Sequence, residues 1–121
     1  MTDKQESGAA GERAAVDWLR NNGFMIVEQN WRAGRYEIDI IASRWGILHI
    51  VEVKTRRADS LTQPEYAITK QKFRSLQRAA SAYIAQRRLQ NELQFDLMAV
   101  EILSDGSLNV RFIENAMQCA W

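Results

Sequence analysis

The sequence predicts an α/β domain. Apolar residues recur at helical spacing near the start of the chain and again in its middle, and period-two apolar runs lie between and after these stretches. Gly, Asn, Asp and Ser punctuate the joints. The expected order is helix, three strands, helix, two strands, giving a mixed central sheet of about five strands flanked by helices. At 121 residues the chain is one domain, able to bury roughly two thirds of its unfolded surface around one core without disulfides or a structural metal.

In the first helix Ala14, Ala15, Trp18 and Leu19 form one face, while Arg13, Asp17, Arg20 and Asn21 form the other. Gly23 closes it as the residue that can turn left-handed. Residues 1–7 are polar and read as a flexible tail, with the domain running over 8–121. Phe24 to Trp31, Glu37 to Ser43 and Ile47 to Arg56 read as strands, with Arg44-Trp45-Gly46 a tight reversal that makes the last two antiparallel. A polar loop holding the single proline, Pro64, leads to a helix from about Thr69 to Arg87. Its inward side is Phe73, Leu76, Ala80, Tyr83 and Ile84, with Lys72 beside Leu76 and Tyr83. Phe95 to Ile102 and Leu108 to Ile113 form a final hairpin across Ser104-Asp105-Gly106-Ser107.

Two charged motifs interrupt apolar strands: Glu37-Ile38-Asp39 and Glu52-Val53-Lys54. Residues two apart share a side of a strand, so Glu37 goes with Asp39 and Ile41, and Glu52 and Lys54 go with Leu48 and Ile50. These charges end buried stripes. A buried carboxylate without a partner costs several kcal/mol or more, so such groups are expected to meet a cation, a metal or a ligand. The antiparallel reversal brings Asp39 and Glu52 to the same end of neighbouring strands. Oxygen ligands without His or Cys suit a hard ion, Mg²⁺ or Mn²⁺, rather than zinc. Lys54, one side chain further along, is placed to hold an attacking water and to offset charge building on a phosphate.

These residues match the signature of the PD-(D/E)XK nuclease superfamily, with Ile38 rather than Pro before the Asp. Gly11-Glu12 at the opening of a helix, Glu37-Ile38-Asp39-Ile40-Ile41-Ala42 and Val51-Glu52-Val53-Lys54-Thr55-Arg56 extend the match. Thr69 three before Lys72, ahead of Ala79-Ala80 and Tyr83-Ile84, extends it further. Together they resemble the YraN family of small bacterial proteins, itself similar to the archaeal Holliday-junction resolvases, over roughly residues 8 to 117. The resemblance implies a restriction-endonuclease-like fold, with Asp39 and Glu52 as metal-binding carboxylates, Glu12 as an auxiliary ligand and Lys54 as the catalytic lysine. It also implies a two-fold homodimer acting on branched DNA, for which Ile113, Met117 and Trp121 offer an apolar C-terminal edge. Tyr36, where the family usually has Gly, and Phe73, where it often has Gln, depart from the pattern.

Each candidate has a plainer reading beside the chemical one. Glu12 at a helix start can be a first-turn acid stabilised by the helix dipole. Glu37 can bind a second ion or pair with Arg35 or Arg56, and Asp96 reads as a partner in a salt bridge or hydrogen bond. His49 alternates with Val51 and Val53, away from the site, and reads as a satisfied core histidine. Cys119 reads as inert. Trp31 and Trp45, in or beside turns, could stack on an exposed base. The net charge of +1 is too small to argue for nucleic acid globally, so a binding surface must come from local clustering. Arg32 and Arg35 precede Asp39, Arg56 and Arg57 follow Lys54, and Lys70, Lys72 and Arg74 crowd the second helix start. They form either a solvated surface or a track for phosphates. Without a helix rich in Asn, Gln and Arg or a zinc-finger pattern, reading of base sequence is not expected. One cysteine, and no apolar run of membrane-spanning length or signal-peptide form, point to a cytoplasmic protein with no membrane partner.

The expected function is metal-dependent hydrolysis of DNA phosphodiesters. A noncatalytic nucleic-acid-binding module of the same fold and a protein-interaction domain with a structural ion-pair network are the alternatives.

Overall fold

In a computed structural model, residues 3–58 and 68–116 are described, with side chains from residue 8 onward. The elements are α1 (Asp3–Asn21), β1 (Met25–Ala33), β2 (Tyr36–Arg44), β3 (Ile47–Arg57), α2 (Lys70–Arg87), β4 (Glu92–Ile102) and β5 (Leu108–Ile113). The strands form one sheet in the order β1-β2-β3-β4-β5. All neighbours are antiparallel except β3 and β4, which run parallel because the connection between them carries α2. This α/β architecture with a mixed sheet and two helices is consistent with the restriction-endonuclease-like fold.

Each short connection has turn chemistry to match. The β1–β2 turn begins with Gly34 at φ 60°, and the β2–β3 turn places both Trp45 and Gly46 at positive φ, 55° and 77°. At the end of α1, Phe24 N–H donates to the Leu19 carbonyl at 2.9 Å and Gly23 N–H to the Arg20 carbonyl at 3.2 Å. With Gly23 at φ 86° this is a Schellman closure, and it turns Phe24 back under the helix. Thr69 Oγ1 accepts from Lys72 N–H at 3.2 Å, capping α2.

A single core was the expectation. The structure has two apolar clusters instead, because helices cover both faces of the sheet. Leu76, Ala79, Ala80 and Tyr83 of α2 pack on Ile38, Ile41, Leu48, Ile50 and Leu97. Ala15, Val16 and Leu19 of α1 pack on Ile40, Ala42, Val51, Met98 and Val100 across the other face. Two boundaries differ by three residues or more. α1 begins at Asp3, so residues 3–7, read as a tail, continue the helix, and β4 begins at Glu92, three residues before the expected start. Pro64, Met117, Cys119 and Trp121 lie outside the described residues.

His49 and Asp96 meet as a buried pair, Nδ1 to Oδ2 at 2.6 Å. The other Asp96 oxygen accepts from Gln94 Nε2 and from Asn115 N–H, both at 2.9 Å. Every Asp96 oxygen is thus engaged, which makes this a structural network holding the β4–β5 end to β3.

Gly11, expected at a helix opening, lies inside α1 where the helix crosses β3. A Cβ there would overlap Thr55 Oγ1. Gly11→Ala is therefore expected to destabilise the domain by about 1–3 kcal/mol through overpacking, despite a helix-propensity gain of about 1 kcal/mol. Urea unfolding checks this, and Thr55→Ala added to Gly11→Ala should restore most of the loss. A Gly11→Ala protein as stable as the parent would show that the crossing tolerates a side chain.

Candidate functional site

The site starts from a break in the alternation of β2. Ile38 packs under α2 and Ile40 under α1, although residues two apart in a regular strand share a face. Asp39 sits at that switch, and the β2–β3 pairing ends beside it at Ile40 and Val51. In place of the next ladder bond, Asp39 Oδ2 accepts from the Val53 N–H at 2.9 Å. The charge-assisted bond pins the carboxylate in the mouth between the two strands. This corrects the expectation that Asp39 simply shares a face with Ile41, which packs under α2.

Extending the register places Glu52 across from Asp39. Glu52 is 6% exposed. Burial first, then hydrogen bonding to Asp39 and the Asp39 charge, push the Glu52 carboxyl up from 4.5 to about 7, against the opposing pull of Lys72. Two carboxyls this close favour a proton on one of them, so the pair is short of positive charge. Lys72 Nζ, 3.4 Å from Glu52 Oε2, supplies part of it. Lys72 was expected among the phosphate contacts, and the structure makes it an ion-pair partner of Glu52.

Glu12 approaches from α1. Its pKa is raised by burial first and by the Asp39 and Glu37 charges, while a hydrogen bond from Asn30 lowers it. Glu12 Oε1 is buried with no hydrogen-bond partner. Glu12, Asn30, Glu37, Asp39 and Thr55 line a cleft of about 390 Å³ on the α1 side. Asn30 adopts φ 51°, a left-handed conformation that Asn tolerates better than most residues. Lys54 is half-buried on β3, in register with Ala99 of β4, and the unbroken β3–β4 register puts it on the side of Glu52.

As the side chains stand, no three Asp, Glu, His or Cys among the described residues are arranged to hold a metal ion. The fit to a divalent cation therefore rests on the Asp39–Glu52 pair. Mg²⁺ commonly takes only one or two protein carboxylates and keeps several waters. The raised Glu52 carboxyl and the orphaned Glu12 oxygen both match a place for positive charge.

The other candidates gather at the same end of the sheet, where β2 begins and β3 ends. Arg32 pairs with Glu37 at 3.7 Å, both solvent-exposed, so Glu37 finds Arg32 rather than Arg35 or Arg56; such a pair contributes little stability. Arg35 donates to the Tyr36 hydroxyl at 3.3 Å. Arg56 and Arg57 end β3 and Lys70 begins α2. The tryptophans do not join them. Trp31 packs edge-on against Tyr83 at 5.1 Å, and Trp45, stacked under Arg44 at 4.2 Å, sits six residues from Asp39, about 20 Å along the strand.

Sequence reasoning missed Asn30, the crossing of Gly11 over Thr55 that sets the position of Glu12, and Arg78, whose Nη1 donates to the Tyr36 hydroxyl at 2.9 Å. A signal existed for the last. Gln71, Arg74 and Arg78 recur at helical spacing.

The family described as "Uncharacterised protein family UPF0102" matches residues 11–100. The chain is 39% identical over 116 residues to a UPF0102 protein of Bacteroides thetaiotaomicron, covering 96% of this chain and 95% of that one. It is 45% identical over 112 residues to UPF0102 protein STH1475 of Symbiobacterium thermophilum, covering 90% and 93%. A UPF0102 protein of Trichlorobacter lovleyi is 38% identical over 120 residues, covering 97% and 94%.

Proposed function

The chain belongs to the UPF0102 family, and from its site we propose that it is a divalent-cation-dependent DNA endonuclease. The observation that carries this reading is the Asp39–Glu52 pair at the mouth between two strands, a buried Glu52 beside a half-buried Asp39 pinned by the Val53 N–H, with the Glu52 carboxyl pushed up to about 7. Asp39 and Glu52 would hold Mg²⁺ or Mn²⁺, with Glu12 as auxiliary ligand, and the bound ion would supply Lewis-acid stabilisation of charge on the phosphate. Lys54, on the Glu52 side of β3, orients the attacking water and offsets negative charge on the phosphoryl oxygens. Arg32, Arg35, Arg56, Arg57 and Lys70 flank the site as a track for the phosphate backbone. The resemblance to junction resolvases supports branched DNA as substrate and a homodimer as the acting form, since two equivalent strands call for two equivalent sites.

A panel of single-stranded, duplex, flap and four-way DNA, assayed with Mg²⁺ and Mn²⁺, tests the reading. Metal-dependent cleavage is the expected result. Lys54→Ala should bind Mn²⁺ and DNA near normally yet cleave about a hundredfold more slowly. DNA binding without cleavage by the parent protein would leave the noncatalytic module. The Glu52–Lys72 contact favours a third reading, an internal ion-pair network serving protein interaction. That reading requires no stoichiometric Mn²⁺ uptake in calorimetry.

A further inference from the structure

A second cavity lies on the opposite, α2 side of the β1–β2 hairpin. It measures about 430 Å³ and is lined by Arg35, Tyr36, Gln71, Arg74, Ser75 and Arg78. Its charged members are all arginines, one from the hairpin turn and two from one face of α2. Two of them converge on a single oxygen: Arg78 Nη1 at 2.9 Å and Arg35 Nη2 at 3.3 Å donate to the Tyr36 hydroxyl. Both guanidinium groups also lie near the Tyr36 ring, at 6.0 and 5.3 Å from its centroid. None of the three arginines forms an ion pair among the described residues, in contrast to Arg32, Arg44 and Arg87.

Like charges at this spacing repel unless an anion joins them, and the one polar oxygen they share is neutral. Hydrogen bonds from Arg35 first and then Arg78 hold the Tyr36 hydroxyl below its ordinary pKa. Guanidinium forks suit the oxygens of a phosphodiester, and Ser75 and Gln71 add neutral polar groups beside them. Tyr36 precedes Asp39 by three residues on β2, about 10 Å along the strand. Glu52 meets Lys72 of α2 on this same side of the sheet, so one nucleic-acid strand can run from the cavity to the Asp39–Glu52 mouth.

We propose that Arg35, Arg74 and Arg78, organised around Tyr36, form a subsite for one backbone phosphate of the nucleic acid, displaced from the bond at Asp39 and Glu52. This deepens the nuclease reading and rests on it for the identity of the ligand. The subsite fixes the strand's register without reading its bases, because phosphate contacts carry no sequence information directly.

The test is DNA binding by fluorescence anisotropy across a KCl series, in Ca²⁺ so that cleavage does not intrude. The Arg74→Gln/Arg78→Gln double variant should bind every sequence about tenfold more weakly, and the slope of log K against log[salt] should fall by about one. Tyr36→Phe, which keeps the ring and removes the shared oxygen, should lose affinity by a smaller factor with the slope intact. A scan of single methylphosphonate substitutions should show one position that weakens binding by the parent but not by the double variant. Circular dichroism confirms folding of these surface variants. An unchanged salt slope, or no such position in the scan, overturns the subsite and leaves the metal site standing. A changed slope with no cleavage under any metal overturns the nuclease reading alone. Absence of DNA binding by the parent overturns both.

Discussion

Asp39→Asn is expected to leave the domain folded while reducing cleavage at least about a thousandfold and sharply weakening Mn²⁺ binding. The two effects separate because Asp39 has two tasks. Its Oδ2 accepts from the Val53 N–H, and an Asn oxygen can do the same, so the opening between β2 and β3 survives. The negative charge does not survive, and about 4 kcal/mol of lost transition-state stabilisation corresponds to that thousandfold. Asp39→Ala removes both tasks and should in addition destabilise the domain by about 1–3 kcal/mol, the cost of an unmatched backbone donor. Calorimetric Mn²⁺ titration and urea unfolding of both variants check the separation. Parental Mn²⁺ affinity in Asp39→Asn would remove this residue from the site.

Glu52→Gln is expected to make the apo protein more stable at pH 8. The Glu52 carboxyl is raised from 4.5 to about 7, so between those values the native state holds a proton that the unfolded chain has released. Unfolding free energy therefore falls as pH rises through that window and levels off above it. The whole displacement corresponds to roughly 3 kcal/mol. Glutamine has no charge to bury, so the variant should match the parent below pH 4.5 and exceed it above pH 7 by up to that amount. Lys72 loses its partner but is 41% exposed, and water compensates most of that loss. Mn²⁺ should raise the parent's stability at pH 8, and at pH 6, where Glu52 still holds most of its proton, it should release close to one proton as it binds; it should do neither for Glu52→Gln. Parallel stability–pH curves for the two proteins would mean that Glu52 is not the strained group.

Most of the elements were legible because their signals are local. Gly23 and Thr69 end and begin helices through their own backbone and side-chain geometry. Trp45-Gly46 makes a two-residue reversal because both positions take positive φ. That reversal also sets Asp39 against Glu52, since in an antiparallel pair the turn determines the register. The structural assignment of His49 followed from alternation, which placed it away from the charged motifs, and that of Asp96 from its place in an apolar strand. Alternation failed at Asp39 itself. A strand whose carboxylate takes its neighbour's backbone donor in place of a ladder bond leaves the pleat, and no periodicity in the residues announces it.

The single-core expectation failed for a related reason. Period-two and period-3.6 patterns show that a segment has an apolar face, but not which of two helices covers which face of a sheet. The residues alone determined the order of elements, the α/β class, the pairing of Asp39 with Glu52 and the clustering of basic side chains near them. These follow from contacts within a turn or a hairpin, where chain connectivity leaves few choices. Only the tertiary structure decided that Lys72 pairs with Glu52, that Gly11 lets α1 close on Thr55 and carry Glu12 inward, and that Arg35 and Arg78 share one oxygen. Each of those joins elements far apart in the chain. Their meeting depends on how helices settle on the two faces of a twisted sheet, a matter of packing volume and charge balance that no single segment encodes.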